Sequence, residues 1–193
     1  MAIRQLSSAS ISTGTKSSKF WNQTTVLDPF ESIATVTVGA GGQSQINFTS
    51  IPQGYKNLQI RASYTCTTSP GTLRFYVGNG SIDTGANYAN HAMSGNGSSV
   101  TAWSTYGNTE SYTLLESQQT YHWGIIADLV GYSDTSKYKT INIFTGGNNN
   151  GSGYIGTNSV LWKSTSGISN IRFATQSGSF DQYSKFALYG IRG

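Results

Sequence analysis

Charged side chains are scarce in this sequence of 193 residues. Lys, Arg, Asp and Glu together make up 10% of the chain, whereas globular proteins average about 25%. Ser, Thr, Asn, Gln and Gly must therefore supply most of the contact with water. Such a neutral surface suits close association with other molecules, because few charges lose their hydration when the surface is covered.

Other components are missing as well. The single cysteine, Cys66, excludes an internal disulfide, and we predict that it packs in or beside a strand. No apolar run approaches the roughly 20 residues of a membrane-spanning helix, and the first ten residues lack the apolar core of a secretion signal. The sequence therefore predicts a protein that is made in a cytosol, has no membrane partner, and needs neither a metal nor a cofactor.

The formal charge of +4 is unevenly distributed. Residues 1–27 contain Arg4, Lys16 and Lys19 and no acid, which leaves nine basic and eight acidic residues in the rest of the chain. A nucleic-acid-binding surface usually gathers many more basic side chains on one face. We therefore expect no nucleic-acid partner.

Residues 1–29 are predicted to form an extended polar arm, because their few apolar residues are too sparse to bury one face of a helix or strand. We expect a neighbouring subunit to hold this arm, with its aromatic pair as anchors. The alternative is that the arm crosses its own domain. The predicted protein-binding residues of the arm are Ile3, Arg4, Leu6, Ile11, Lys16, Lys19, Phe20 and Trp21.

Residues 30–193 are predicted to form a single domain of about ten short strands. The segments alternate apolar and polar residues or are rich in β-branched residues, and turn residues separate them. The predicted class is all-β, a jelly-roll-like antiparallel β-sandwich with eight strands in the jelly roll. Segment 123–130, apolar on both faces, is predicted to be central, and 78–108 to be mostly loop. The predicted strands are 32–38, 45–49, 58–62, 73–77, 112–115, 123–130, 138–145, 154–162, 168–175 and 185–191.

The motifs that could carry catalysis are weak. The G-x-G-x-x-G match at 151–156 lacks the strand-to-helix context of a dinucleotide site, so we interpret it as a surface turn. His91 and His122 are predicted to be polar loop or rim residues, since no nucleophile motif or zinc-ligand spacing accompanies them.

Paired carboxylates could in principle hydrolyse a glycoside. The candidate pairs are Glu110 with Glu116 and Asp128 with Asp134. We interpret Asp128, the acid within the apolar segment, as the structural partner of a nearby Lys or backbone amide. The expectation is that the protein is not an enzyme.

Aromatic residues are the stronger signal, with four Trp and 12 Tyr. Trp123 and Trp162 are predicted to pack in the core. Trp103, in a predicted polar loop at 98–108, is the best candidate for an exposed contact, because amphipathic rings favour interfaces and stacking on sugars.

Seven segments resemble the small virion structural proteins of tailed bacteriophages, especially those of cyanobacterial and marine hosts. They extend over most of the chain: 1–4 (MAIR), 14–21 (GTKSSKFW), 30–36 (FESIATV), 51–60 (IPQGYKNLQI), 137–140 (KYKT), 149–153 (NNGSG) and 186–191 (FALYGI). The resemblance implies a β-sandwich in the virion and assigns no catalytic residue.

This resemblance leads to a functional expectation. The protein is expected to be a capsid decoration (cement) protein, which binds the major capsid protein or other virion proteins and stabilises the coat lattice through its arm and sandwich surface. A homotrimer is the simplest expected assembly. The alternative is a tail or fibre component, or a module that binds a receptor glycan.

Overall fold

The computed structural model describes residues 29–68, 71–117 and 121–193. These residues form an all-β structure with no helix among them. The thirteen strands are β1 (Phe30–Thr37), β2 (Gln45–Phe48), β3 (Asn57–Tyr64), β4 (Gly71–Asn79), β5 (Ser81–Ile82), β6 (Tyr88–Gly95), β7 (Val100–Asn108), β8 (Ser111–Ser117), β9 (Trp123–Val130), β10 (Lys139–Asn149), β11 (Ser152–Trp162), β12 (Asn170–Thr175) and β13 (Lys185–Ile191).

The strands form two antiparallel sheets. The long sheet has eight strands in the order β1-β13-β3-β9-β10-β11-β6-β7, and the short sheet has β2, β12, β4 and β5 in that order, with β8 paired to β4. The expected antiparallel β-sandwich is therefore confirmed, with eight and five strands in its two sheets. The first and last strands of the domain are neighbours, since β1 pairs with β13.

The core lies between the two sheets and is built from alternate residues of the strands. Four aromatic rings form its centre: Phe75 packs on Phe173 with ring centroids 5.1 Å apart, and Phe186 contacts both Phe173 and Phe180, at 5.4 and 4.9 Å. All four are fully buried. Burial of each ring contributes about 1.5–3 kcal/mol relative to leaving it in water.

All ten predicted strands are present, and β9 and β13 have the predicted bounds. The turn predicted after β1 is also present. Its glycines Gly41 and Gly42 have φ angles of 93° and 72°, a region that other residues rarely adopt. Cys66 is buried in the core, as predicted.

The expectation of a mostly loop segment at 78–108 was wrong. This stretch contains β5, β6 and β7, and β6 pairs with both β11 and β7. The sequences of β6 (YANHAMSG) and β7 (VTAWSTYGN) are rich in small and polar residues. Local alternation is therefore weak, and long-range pairing decides that these segments are strands.

Strand β9 is central, between β3 and β10, but only one of its two apolar faces is buried. Ile125, Ala127 and Leu129 face the core, whereas Ile126 and Val130 are 42% and 56% exposed. The short sheet covers one face of the long sheet and leaves the other to solvent. Apolar residues that face outward on β9 therefore lie on an open surface.

Candidate interaction surface

The outer face of the eight-stranded sheet carries several exposed apolar side chains. Strand pairing places Phe144 of β10 between Ile126 of β9 and Thr157 of β11, and Thr157 next to Met93 of β6. Two residues further along each strand lies a second row of paired positions, which consists of Gly146, Ile155, Gly95 and Val100. Residues of these two rows share one face because side chains alternate with period two.

Five apolar side chains in these two rows form a surface that we call the outer apolar patch. It consists of Met93 (51% exposed), Val100 (72%), Ile126 (42%), Phe144 (49%) and Ile155 (55%). Single exposed apolar residues are ordinary on a protein surface, but contiguous groups mark interaction sites.

Three shallow depressions adjoin the patch. A cavity of about 290 Å³ lies among Met93, Val100, Phe144 and Ile155. A second, of about 460 Å³, extends toward the glycine-rich hairpin of β10 and β11 and is lined by Asn148 and Tyr154 among others. The third, of about 470 Å³, is lined on the other side of the patch by residues including His91, Trp103 and Ser104.

Glycines shape the hairpin beside the patch. Gly147 lies against the buried indole of Trp123, and a Cβ atom at Gly147 would come within 2.5 Å of that ring. The predicted burial of Trp123 is confirmed. Its ring thus holds the base of the hairpin from the core side.

A polar chain borders the patch on the side of β3. The Nε of Arg61 donates to Oε1 of Gln59 at 2.8 Å, and Nε2 of Gln59 donates to Oδ1 of Asp128 at 2.8 Å. The Arg61 guanidinium also lies 5.3 Å from the centroid of the Phe30 ring, a cation–π distance. Asp128 therefore has a structural partner, as interpreted, but the partner is a side-chain amide and not a Lys or a backbone amide.

A buried polar network supports β6 and β7 from beneath. Asn90, 1% exposed, accepts a hydrogen bond from the Ser111 hydroxyl at 2.7 Å and donates one to Oγ1 of Thr105 at 3.1 Å. Nδ2 of Asn108 also donates to Thr105, at 2.6 Å. Because buried polar groups need partners, this network fixes β7 against β6 and β8.

Trp162 is buried in the core, as predicted, and its indole N–H belongs to a second cluster of hydrogen bonds, around Asp83. Nε1 of Trp162 and Nδ2 of Asn87 donate to Oδ2 of Asp83, and the Gly85 amide donates to Oδ1. Burial opposes ionisation of this carboxyl, but the three hydrogen bonds hold the pKa of Asp83 below its ordinary value. Each donor stabilises the carboxylate form.

The acidic residues considered as catalytic pairs include Glu110 and Asp134, which make hydrogen bonds within the fold. Glu110 is buried, accepts hydrogen bonds from the hydroxyls of Tyr76 and Tyr112, and lies 3.4 Å from Nε of Arg74. Burial, with the Glu110 carboxylate, raises the pKa of Tyr76 to about 12. The side chain of Glu116 lies outside the described part of the structure. Asp134 accepts hydrogen bonds from the Ser136 amide and hydroxyl in an exposed turn.

The two histidines and Trp103 lie near the patch or at a strand end. His91 is exposed on β6, with its ring centroid 6.0 Å from that of Tyr106, so the prediction of a loop position was wrong. His122 is exposed just before β9. Trp103 lies on β7, not in a loop, and is 36% exposed. Its role as a contact stays a prediction.

The predicted arm residues Ile3, Arg4, Leu6, Ile11, Lys16, Lys19, Phe20 and Trp21 all lie outside the described residues. Sequence reasoning missed the outer apolar patch itself. The available signal was the alternation within 138–145, which places Phe144 opposite to Ile141 and Ile143.

The chain matches no family model, no curated protein and no solved structure. Within 29–68, 71–117 and 121–193, no group of three or more His, Cys, Asp and Glu residues could hold a metal ion. The same residues contain no helix long and apolar enough to cross a membrane.

Proposed function

We propose that this protein is a non-enzymatic structural component of a phage virion, which decorates the capsid by binding a coat protein through the outer apolar patch. The observation that carries the proposal is the exposure of Phe144, Ile155, Met93 and Val100 around one shallow apolar cavity. The sequence resemblance to phage virion proteins supplies the identity of the partner.

The form of the patch favours a protein partner over a small ligand. Small-molecule sites are usually enclosed pockets with a few convergent polar groups, whereas the 290 Å³ cavity is shallow and has apolar side chains at its margin. The centre of a protein interface is typically apolar and depleted in charge. The five side chains of the outer apolar patch are uncharged, and the charged residue next to them along the sheet, Arg61, lies at the margin beside Ile126.

The low charge of the chain supports the same function. Binding to a lattice in many copies requires each contact to be only modestly favourable, because neighbouring contacts add. Because only 10% of the residues in the chain are charged, few charges lose their hydration when its surface is covered. Under this proposal the N-terminal arm, which carries Phe20 and Trp21, adds a second contact to the coat.

Binding to coat shells tests the proposal. Shells from phages of the resembled group, assembled without their decoration protein, are mixed with wild type, Phe144→Asp or Val130→Asp and sedimented. Val130 is a matched control, because it is also an exposed apolar residue of the outer face but lies outside the patch. We expect saturable binding of wild type and Val130→Asp, and at least about tenfold weaker binding of Phe144→Asp, which is about 1.4 kcal/mol.

Two results would contradict the proposal. One is the lack of saturable binding by wild type to any such shell. The other is equal binding by Phe144→Asp and Val130→Asp, which would show that the contact lies elsewhere on the protein.

A second function has its own structural support. Tyr154 and Asn148 both line the 460 Å³ depression, and Tyr154 is 39% exposed. Aromatic faces beside amide groups suit the apolar and hydroxyl faces of sugars. A tail or fibre module that binds a receptor glycan would use these residues. A glycan array with wild type and Tyr154→Ala separates the functions, because only the glycan-binding module gives a signal that the substitution removes.

A further inference from the structure

Strand β7 is the last strand of the long sheet, and its outer edge is open. None of its nine residues, Val100–Asn108, is buried. It pairs with β6 on one side, and no strand among residues 29–68, 71–117 and 121–193 pairs with the other. An edge of this kind presents a row of backbone donors and acceptors that can accept another strand.

The turn between β6 and β7 shows which backbone groups are available. The Asn96 amide donates to the Ser99 carbonyl across the turn at 3.2 Å. The N–H and C=O groups of successive residues in an antiparallel strand point in opposite directions. The backbone groups of Ser99 and of every second residue after it therefore point toward β6. The residues between them are Val100, Ala102 and Ser104, whose N–H and C=O groups point away from β6 toward the open edge.

The edge of β7 lacks the features that usually prevent strand addition. Its sequence, VTAWSTYGN, contains no charged residue and no proline, and Val, Thr, Trp and Tyr all favour strands. The opposite edge of the same sheet differs. Strand β1 contains Glu31, which pairs with Arg192, and has a bulge between Ser32 and Ala34. Protection is thus present at one edge and missing at the other.

A second copy of this chain fits the β7 edge. In a symmetric antiparallel pair, each strand lies beside an identical strand that runs in the opposite direction. Because β7 has no charged residue, this pairing brings no like charges together. The regular part of β7 ends at Tyr106, where the pairing with β6 becomes irregular. Trp103 is the centre of the regular part, so pairing about Trp103 gives the longest overlap.

The surroundings of β7 add apolar area to such a pair. A stable dimer buries about 800 Å² on each partner, which is more than a single strand edge supplies. On the outer face, Val100 lies on the edge strand β7 and is 72% exposed, and Met93 lies on the neighbouring strand β6 and is 51% exposed. Pairing would place the apolar residues of both copies on one continuous face.

We propose that two copies of this chain form a symmetric dimer in which β7 pairs antiparallel with β7 of the second copy, centred on Trp103. The two eight-stranded sheets then form one continuous sheet. The dimer does not depend on what the protein binds, so its test is separate from that of coat binding.

Edge substitutions in the full chain test the dimer. Ser104→Pro removes an outward N–H without removing a ladder bond to β6, and Ser104→Lys adds a charge at the edge. Thr140→Lys is the control, because it adds the same charge at an exposed position of β10 in the interior of the sheet. Sedimentation velocity over a wide concentration range gives the mass, and circular dichroism gives the fold.

We expect wild type and Thr140→Lys to be dimers, and both Ser104 variants to be folded monomers. A wild type that is monomeric at every concentration would overturn the proposal. So would a dimer that persists in both Ser104 variants, or a trimer of any kind, which would favour the three-fold assembly expected from the resemblance.

A disulfide cross-link tests the centre of the pairing. Residues that face each other in non-hydrogen-bonded pairs have Cα atoms about 4.5 Å apart, which a disulfide can bridge. Trp103→Cys should therefore form a covalent dimer on mild oxidation, whereas wild type, whose Cys66 is buried, and Thr140→Cys should not. Equal cross-linking of Trp103→Cys and Thr140→Cys would contradict pairing about Trp103.

Discussion

Nε1 of Trp162 donates a 2.7 Å hydrogen bond to Oδ2 of Asp83, which joins the end of β11 to the segment that follows β5. The indole is 2% exposed, and this carboxylate is the acceptor of its N–H. A lost partner would leave a buried donor unsatisfied, and this costs about 1–3 kcal/mol.

Asp83→Ala should therefore lower the free energy of unfolding by about 1–3 kcal/mol at neutral pH. The pKa of Asp83 is lowered in the folded state, so its contribution is present above the unfolded pKa of about 3.9 and is lost as pH falls through the folded pKa. Urea unfolding from pH 7 to pH 3 measures both effects. The difference between wild type and Asp83→Ala should shrink toward the acid end, and a difference that stays constant would contradict the assignment.

Gly147→Ala should destabilise the protein by about 1–3 kcal/mol, because the new methyl group would overlap the buried Trp123 ring. Gly124→Ala is the matched control. It lies in the neighbouring strand, and its added Cβ would meet only the Gly146 carbonyl oxygen at 3.8 Å. Thermal unfolding measures stability, and tryptophan fluorescence should shift only in Gly147→Ala. Equal melting temperatures for the two variants would show that the hairpin moves freely away from Trp123.

Asn90→Ala should cost about 1–3 kcal/mol, because it leaves the buried Ser111 hydroxyl without its acceptor and removes a hydrogen bond to Thr105. Asn142→Ala, at an exposed position of β10, should change stability by no more than about 0.5 kcal/mol. Hydrogen exchange should quicken in β7 of Asn90→Ala only. Unchanged protection of β7 would mean that the network does not hold this strand.

Phe144→Ser should leave the free energy of unfolding within about 0.5 kcal/mol of wild type, because the ring is 49% exposed and lies outside the core. It should lower the fluorescence of a hydrophobic dye bound to the folded protein, whereas Val130→Ser should not. A large loss of stability in Phe144→Ser would instead identify Phe144 as a packing residue.

Deletion of residues 1–22 should leave the sandwich folded, because residues 29–68, 71–117 and 121–193 supply both sheets and a buried cluster that, among these residues, begins at Val38. The melting temperature should match that of the full chain, while coat-shell binding should fall if the arm carries a contact. Full binding by the truncated protein would assign the contact to the sandwich alone. Unfolding of the truncated protein would show that the arm contributes to the core.

Local sequence determined the fold class and most of the strands. In β9 and β13 the apolar runs and flanking turn residues are strong, and the predicted bounds agree with the structure. The predicted burial of Trp123, Trp162 and Cys66 is also observed. These features depend on periodicity and turn chemistry, which each segment carries by itself.

The tertiary structure decided the rest. Strands β6 and β7 are supported by β11 and by the polar network at Asn90, although apolar and polar residues alternate only weakly in their own sequences. Sequence alone could not show that the apolar outward positions of β9 and β10 lie on an open face, because apolar alternation looks the same whether a second layer covers it or not. The outer apolar patch and the open edge of β7 follow from the order of the strands in the sheet, which long-range pairing determines.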